Sequence, residues 1–164
     1  MIDHPGGTLY AHLGRVHDRL VALGLDPDVA RAGLTHAAFG TDGFDVALLP
    51  LTERATLRAL IGVVAENLVY RYGACDRRRT WRTLASSRTI WDRFTGTASP
   101  AEPAELRPFV DLTIVNELDL LEQDGSAGER YGDYFGSLFG SWADLASPAV
   151  LDDARRLLDL RTPA

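Results

Sequence analysis

The chain has 164 residues, of which 46% are hydrophobic and 24% charged, with a formal net charge of −6. That composition is ordinary for a soluble domain, and a chain of this length buries about two-thirds of its unfolded surface, so one domain over 1–164 is expected. No run approaches the roughly 20 apolar residues of a membrane span, Met1 is not followed by a basic and then apolar leader, and the arginines form no broad basic face. A cytoplasmic protein without membrane or nucleic-acid partners is the expectation.

The first helix is read from about Thr8 as N-cap, with Leu9, Leu13, Val16, Leu20 and Leu23 at helical spacing and Gly24 as its stop. A second opens with Asp26 as cap and Pro27 at its first position, and it places Val29, Ala32, Gly33 and His36 on one face. The glycine-broken run 39–44 reads as a loop. A long third helix is expected from Thr52 and Glu53, with Leu57, Leu60, Ile61, Val64, Leu68 and Tyr72 as its apolar stripe. Past a polar connection at Cys75-Asp76-Arg77, a further helix is expected to carry Ile90, Trp91 and Phe94, followed by a loop over 96–103. The helix from about Pro108 to Gln123 is apolar nearly all round and should be central. An aromatic helix (Tyr131, Tyr134, Phe135, Leu138, Phe139, Trp142) and a last one after Ser147-Pro148 complete an all-α reading, with core 4–122 and C-terminal helices 127–160 packed on it.

The lone cysteine, Cys75, forms neither a disulfide nor a CxxC pair, which excludes a zinc ribbon and a redox dithiol. All 17 basic residues are arginine, a usage that codon bias in a GC-rich genome explains as well as function does. Chemistry therefore falls to histidines and buried polar groups.

His12 and His36 stand on consecutive helices, and paired histidines on neighbouring helices are what bundle-core sites are built from. Each is either a ligand or acid/base group, or a core histidine satisfied by a backbone carbonyl. Asn116 falls in line with Phe109, Leu112 and Leu120, and an amide there costs a few kcal/mol unless something bonds to it. It reads as a substrate-binding group, a weak metal ligand or an interhelical clasp. Glu117 and Asp119 flank it, within reach of the same pocket or on a solvated face. Asp76 and Arg77 are read either as an anchor for a substrate anion or as a loop ion pair. His4 precedes the first helix and either swings over a pocket or frays.

Together, Tyr10-x-His12-x-x-x-Val16, the run Ala-Gly-Leu-Thr-His36, the stretch Leu60 to Val69 and Ile114-Val115-Asn116-Glu117-Leu118 resemble the HD-domain superfamily, chiefly the hydrolase half of RelA/SpoT-type alarmone enzymes. More narrowly, the run Leu-Thr-His36 to Phe44, with Ala65-Glu66 and Asp76-Arg77, is similar to an uncharacterised bacterial family, domain of unknown function 6817. The resemblance implies a single-domain HD-like helical bundle whose histidines and aspartates hold one metal ion. This chain departs from it: Ala37 stands where the superfamily has its metal-binding Asp, Gly40 and Thr41 where the alarmone hydrolases have an acidic pair, and Asn116 where it has the last Asp. Alarmone hydrolysis is therefore not expected. Asp42 is the residue that would restore a carboxylate, giving a His12, His36, Asp42 and Asn116 set suited to Fe²⁺ or Zn²⁺.

The expected function is a metal-free small-molecule tailoring enzyme of a bacterial biosynthetic pathway, with His36 as the acid/base or metal-holding residue. His12 and Glu66 are its catalytic partners, and Thr41, Arg77, Asn116 and Tyr10 bind substrate. Non-haem iron oxygenation, metal-dependent hydrolysis and a non-catalytic ligand-binding role are the alternatives, and the aromatic C-terminal helix offers a homodimer face.

Overall fold

The computed structural model of the chain describes residues 2–5, 7–44 and 46–159, Asp159 by its backbone alone. Leu160, the expected end of the last helix, lies outside the described residues, as does Met1. A short antiparallel hairpin, β1 (Asp3–His4) and β2 (Gly7–Thr8), leads into helix α1 (Leu9–Ala22). Thr8 Oγ1 accepts from the amide of Ala11 at 3.2 Å, the N-cap that the sequence indicates. Helix α2 (Pro27–Thr35) is capped by Asp26, whose carboxylate accepts from the amide of Asp28 at 2.8 Å. The two helices pack tightly because residue 33 is glycine: a Cβ there would overlap Leu20 Cδ1 and crowd Val16 Cγ1. Val16 and Leu20 are fully buried at this crossing, where each contributes about 1.5–3 kcal/mol.

The expected long third helix is divided. A 3₁₀ turn over Leu51–Glu53 leads into α3 (Arg54–Ile61), and α4 (Val63–Ala74) begins after Gly62. Gly62 has φ 91° and ψ 161°, a conformation open only to glycine, so the helix cannot run through it. The break re-aims the start of the second half. Leu60 (76% exposed) and Val64 (59%) leave the expected stripe, Leu57, Leu68 and Tyr72 keep to it, and Ala65, Glu66 and Val69 also face inward.

Short helices α5 (Arg77–Thr80) and α6 (Leu84–Ser87) follow. The expected helix around Ile90 is instead a hairpin, β3 (Thr89–Asp92) with β4 (Thr97–Pro100), in which Ile90 pairs with Ser99 and Trp91 with Ala98. The β-branched and aromatic run Thr-Ile-Trp favours strand, and Gly96, at φ 70°, closes the turn. The Asp76 amide donates to Trp91 O at 2.8 Å and ties this hairpin to the end of α4. The chain is thus mostly helical with two small antiparallel sheets, which refines the all-α expectation.

Helix α7 (Pro103–Gln123) is buried on nearly every face from Leu106 to Leu121 and is the axis on which α1, α2 and α4 pack, as expected. Helices α8 (Gly125–Ser141) and α9 (Pro148–Asp159) cover its other side. Asp111 of α7 joins them: its carboxylate accepts from the amide and hydroxyl of Ser147, at 2.7 and 2.6 Å, just before α9. Among the described residues, no helix is long and apolar enough to cross a membrane.

Candidate functional site

The inner faces of α1, α7 and the end of α2 meet at His12, Asn116 and His36. His12 Nε2 lies 3.2 Å from His36 Nε2 and 3.0 Å from Asn116 Oδ1, and all three residues are buried. The convergence that their helical positions predict is therefore present.

Each group is oriented from behind. His36 follows the last residue of α2, and its Nδ1–H donates to Gly33 O at 2.7 Å. His12 Nδ1–H donates to Asp119 Oδ2 at 2.6 Å. Asp119 in turn accepts from Arg15 Nε and Nη2 at 2.7 and 2.9 Å. Burial opposes ionisation of Asp119, but the hydrogen bonds from His12 and Arg15 prevail and hold its carboxyl below the usual range. The Asn116 amide is fixed by its Nδ2, which donates to Glu117 Oε1 at 2.9 Å, and Arg77 Nη1 lies 3.0 Å from that same oxygen.

With these bonds assigned, the hydrogen count at the centre is constrained. His36 Nδ1 carries the proton that Gly33 takes, so the Nε2 of the neutral ring is a lone pair. Burial, reinforced by the nearby His12, pushes the His36 pKa down to about 3, so the ring stays neutral. Asn116 presents its carbonyl oxygen because its NH₂ is held by Glu117. Were His12 neutral too, three acceptors would face one another at 3.0–3.2 Å with no hydrogen between them. The contact between these three atoms therefore calls for one shared hydrogen. Asp119 lies against the other nitrogen of the His12 ring.

The mouth of the site is a cavity of about 180 Å³ lined by His12, His36, Asn116, Thr41, Arg77 and Leu120 among others. That is below the roughly 300–1,000 Å³ of drug-sized sites. His4 reaches it from the N-terminal hairpin, its ring stacked on His12 at 4.1 Å between centroids and edge-on to Phe44 at 5.1 Å. Thr41 and Phe44 exchange backbone hydrogen bonds at 3.1 and 2.8 Å, which turns the 41–44 loop along the rim. Arg77 opens α5, with its amide donating to Asp42 Oδ2 at 2.9 Å and its Nη2 to the Tyr72 hydroxyl at 2.9 Å. Tyr72 meets the His36 ring edge-on at 5.2 Å. Burial of Tyr72, with the Glu117 charge nearby, raises its pKa and keeps the hydroxyl protonated.

Of the expected site residues, His12, His36, Thr41, Arg77 and Asn116 line this cavity, and so does Asp42. Two expectations are corrected. Tyr10 is 85% exposed, because position 10 of α1 faces away from His12. Glu66 does not line the cavity: fully buried on α4, it accepts from Arg54 Nε at 2.6 Å and Arg58 Nη2 at 2.8 Å, a structural ion pair joining α3 to α4. His36, kept neutral by burial and with its Nδ1–H on Gly33 O, presents Nε2 to the centre as an acceptor. Asp119 is the main residue whose role the sequence reading missed. Its signal was present in matched spacings: Arg15 lies three residues after His12, and Asp119 three after Asn116, each on its partner's side of its helix.

The HD resemblance implies a metal ion, and the residues present can be tested against one. The atoms that face one another are two imidazole nitrogens and an amide oxygen. The nearest carboxylate, Asp119, is spent behind His12, and Asp42 is spent on the Arg77 amide. Among the described residues no group of three or more His, Cys, Asp or Glu is placed to hold a metal ion. A hard dication needs negative oxygen ligands, and this set does not fit one.

Residues 1–77 match the model of the family described as Domain of unknown function (DUF6817). The similarity read from the Leu-Thr-His36 run is thus shown over the stretch from the first hairpin to the start of α5. That stretch contains His12, His36, Thr41 and Arg77, and leaves Asn116, Glu117 and Asp119 beyond it. No curated protein and no solved structure matches the chain.

Proposed function

We propose that this protein is a small-molecule enzyme working by proton transfer on an HD-like helical scaffold, with the His12 imidazolium as its general acid. The observation that carries this reading is the meeting of His12 Nε2, His36 Nε2 and Asn116 Oδ1, which requires one shared hydrogen. A substrate oxygen entering the cavity competes with His36 and Asn116 for that hydrogen. Transfer moves the proton from His12 Nε2 to the substrate oxygen and leaves a neutral imidazole. Its lone pair is then the base that takes a proton back, so the ring closes the cycle. Asp119, braced by Arg15, supports the charged form and fixes the ring, while His36 and Asn116 hold the donated hydrogen in the absence of substrate. The HD-like arrangement is supported by the order in which α1, α2 and α7 deliver His12, His36 and Asn116 to one point.

Nitrogen-resolved NMR of the histidine rings near pH 7 tests the resting state without any substrate. The expected result is two N–H groups on His12 and one, at Nδ1, on His36; a His12 ring with one N–H refutes the reading. Turnover is tested by incubating the protein with a cellular metabolite extract and following compounds by mass spectrometry. A compound consumed by the parent protein should be spared by folded His12→Gln, and equal consumption by both removes His12 from the chemistry.

A further inference from the structure

We propose that the ligand is a neutral molecule with a single oxygen function, a ketone or cyclic ether, carried on an apolar body that lies in the groove between α7 and α8. The inference rests on His12 as proton donor and adds what that donor is offered. Two observations carry it: the charge balance around the cavity and the surface that adjoins it.

Among the described residues the charges around the His12 cavity balance as a set of three cations and three carboxylates. Asp119 accepts from both Arg15 and His12, Glu117 pairs with Arg77, and the Asp42 carboxylate, on the cavity wall, accepts from the Arg77 amide. A phosphate, sulfate or carboxylate entering this space would break one of those pairings without finding a free cation, and a buried unmatched charge is costly. A neutral oxygen acceptor needs only the hydrogen on His12 Nε2. The balance therefore selects against the phosphorylated substrates that a cluster of histidines and arginines would otherwise invite.

The second observation is an adjacent groove of about 320 Å³, lined by Leu120, Leu121, Ala127, Tyr131, Tyr134, Phe135 and Glu117. Leu120 lines both spaces, one turn along α7 from Asn116. Glu117, the one charged group in the groove wall among the described residues, is turned toward Asn116 and Arg77 and so joins the wall to the site. Tyr131 and Tyr134 are 46% and 40% exposed, with Arg130 over the Tyr131 ring at 5.8 Å and Phe135 against the Tyr134 ring at 5.1 Å, and the rest of each ring is offered to an aryl or hydrocarbon body. Such a body gains about fourfold in affinity per buried methylene.

The experiment compares 4-phenyl-2-butanone with its near-isosteric acid 3-phenylpropanoate, and both with acetone, by chemical-shift titration of the full chain and of Tyr134→Ser and Tyr131→Ser. The ketone should bind at least tenfold more tightly than the acid and perturb both the His12 ring and the Tyr131 and Tyr134 rings. Either tyrosine variant should weaken it severalfold while leaving the weak response to acetone unchanged. Equal or tighter binding of the acid overturns the neutral-ligand claim, and undiminished ketone binding in both variants overturns the groove. Absence of binding by any probe at millimolar concentration overturns both. Concentration-dependent Tyr131 and Tyr134 shifts without probe would mean that a second copy of the chain occupies the face, which also overturns the proposal. The His12 ring spectrum is read before any probe is added, so a failure here is distinct from a failure of the proton-donor reading.

Discussion

Acidification should destabilise this protein well above the carboxylate range, and His36 should be a main cause. In the folded chain burial pushes His36 down to about 3, against 6.5 for the free side chain. Between those values the unfolded chain holds a proton on this ring and the folded chain does not. Stability from His36 is therefore fully present above pH 6.5 and is lost as pH falls from about 6.5 toward about 3. The slope is about 1.4 kcal/mol per pH unit, so moving from pH 8 to pH 4.5 costs about 2.7 kcal/mol, or about 5–10 °C in Tm for a chain of this size. His4 is also held below its ordinary value by burial and by His12, and it contributes with the same sign. Asp119 has a depressed carboxyl, so its contribution is lost only lower down, which is why the window should stop near 4.5. The control is His36→Gln. It sacrifices about 1 kcal/mol of packing and hydrogen bonding near pH 8 but has no proton to gain, so its stability should fall less steeply, cross the parent's at about pH 5.8 and lie about 1.7 kcal/mol above it at pH 4.5. Denaturant unfolding of both proteins at half-unit steps from pH 8 to 4.5 measures the difference directly. Parallel curves would mean that His36 titrates normally in the fold, and the assignment of its Nε2 as a permanent lone pair would fail with them.

Ala37→Asp returns a carboxylate to the cavity wall beside the imidazole pair. It should raise affinity for Mn²⁺ or Zn²⁺ at least tenfold in calorimetric titration while costing about 1–3 kcal/mol of stability without metal; a folded variant with no gain would show that the imidazoles no longer form a metal-competent pair. Glu66→Gln keeps the shape of the Arg54 and Arg58 contacts but removes the buried charge, and because both guanidinium groups reach solvent the loss should be about 1–3 kcal/mol. The His12 and His36 ring signals should not move in that variant, and a shift in either would tie Glu66 to the site after all.

Much of the helical framework was legible because its signals are local. Thr8 and Asp26 with Pro27 announce the starts of α1 and α2, and the apolar stripe of α1 fixes the face on which His12 lies. The long reading of residues 52–72 failed at one residue: apolar periodicity passes smoothly through Gly62, and nothing in the composition says that this glycine would sit at φ 91°. The Ile90 region failed differently. Its apolar residues are too few to separate a period of 3.6 from one of 2, and pairing with residues 97–100 is a non-local choice. Glu66 and Tyr10 were misplaced for one reason. Their roles were inferred from nearness in sequence to a motif, whereas the Gly62 break and the direction of position 10 on α1 decide where those side chains go. Asp119 went unassigned because an acidic residue beside an apolar stripe usually faces water, and only His12 and Arg15, from more than a hundred residues earlier, give it a buried purpose.

The replacements at positions 37 and 116 then have a common electrostatic meaning. In the superfamily that the sequence resembles, aspartates at these two places are the negative charge that a dication requires. Here Ala37 and Asn116 carry none, and the remaining carboxylate at the centre, Asp119, stands behind His12 with Arg15 upon it. A site of two imidazoles and an amide has little hold on a hard divalent ion, but two lone pairs and a carbonyl need a positive centre between them. In the proposed function one proton meets that need, carried by His12, since His36 is committed to Gly33 and the Asn116 amide to Glu117. Glu117 fits the same reading: an acid there turns the Asn116 carbonyl, and not its NH₂, toward His12. On the proposed reading, the two histidines and the amide stand at the centre, while the carboxylates of Asp119 and Glu117 stand outside them and orient the ring and the amide.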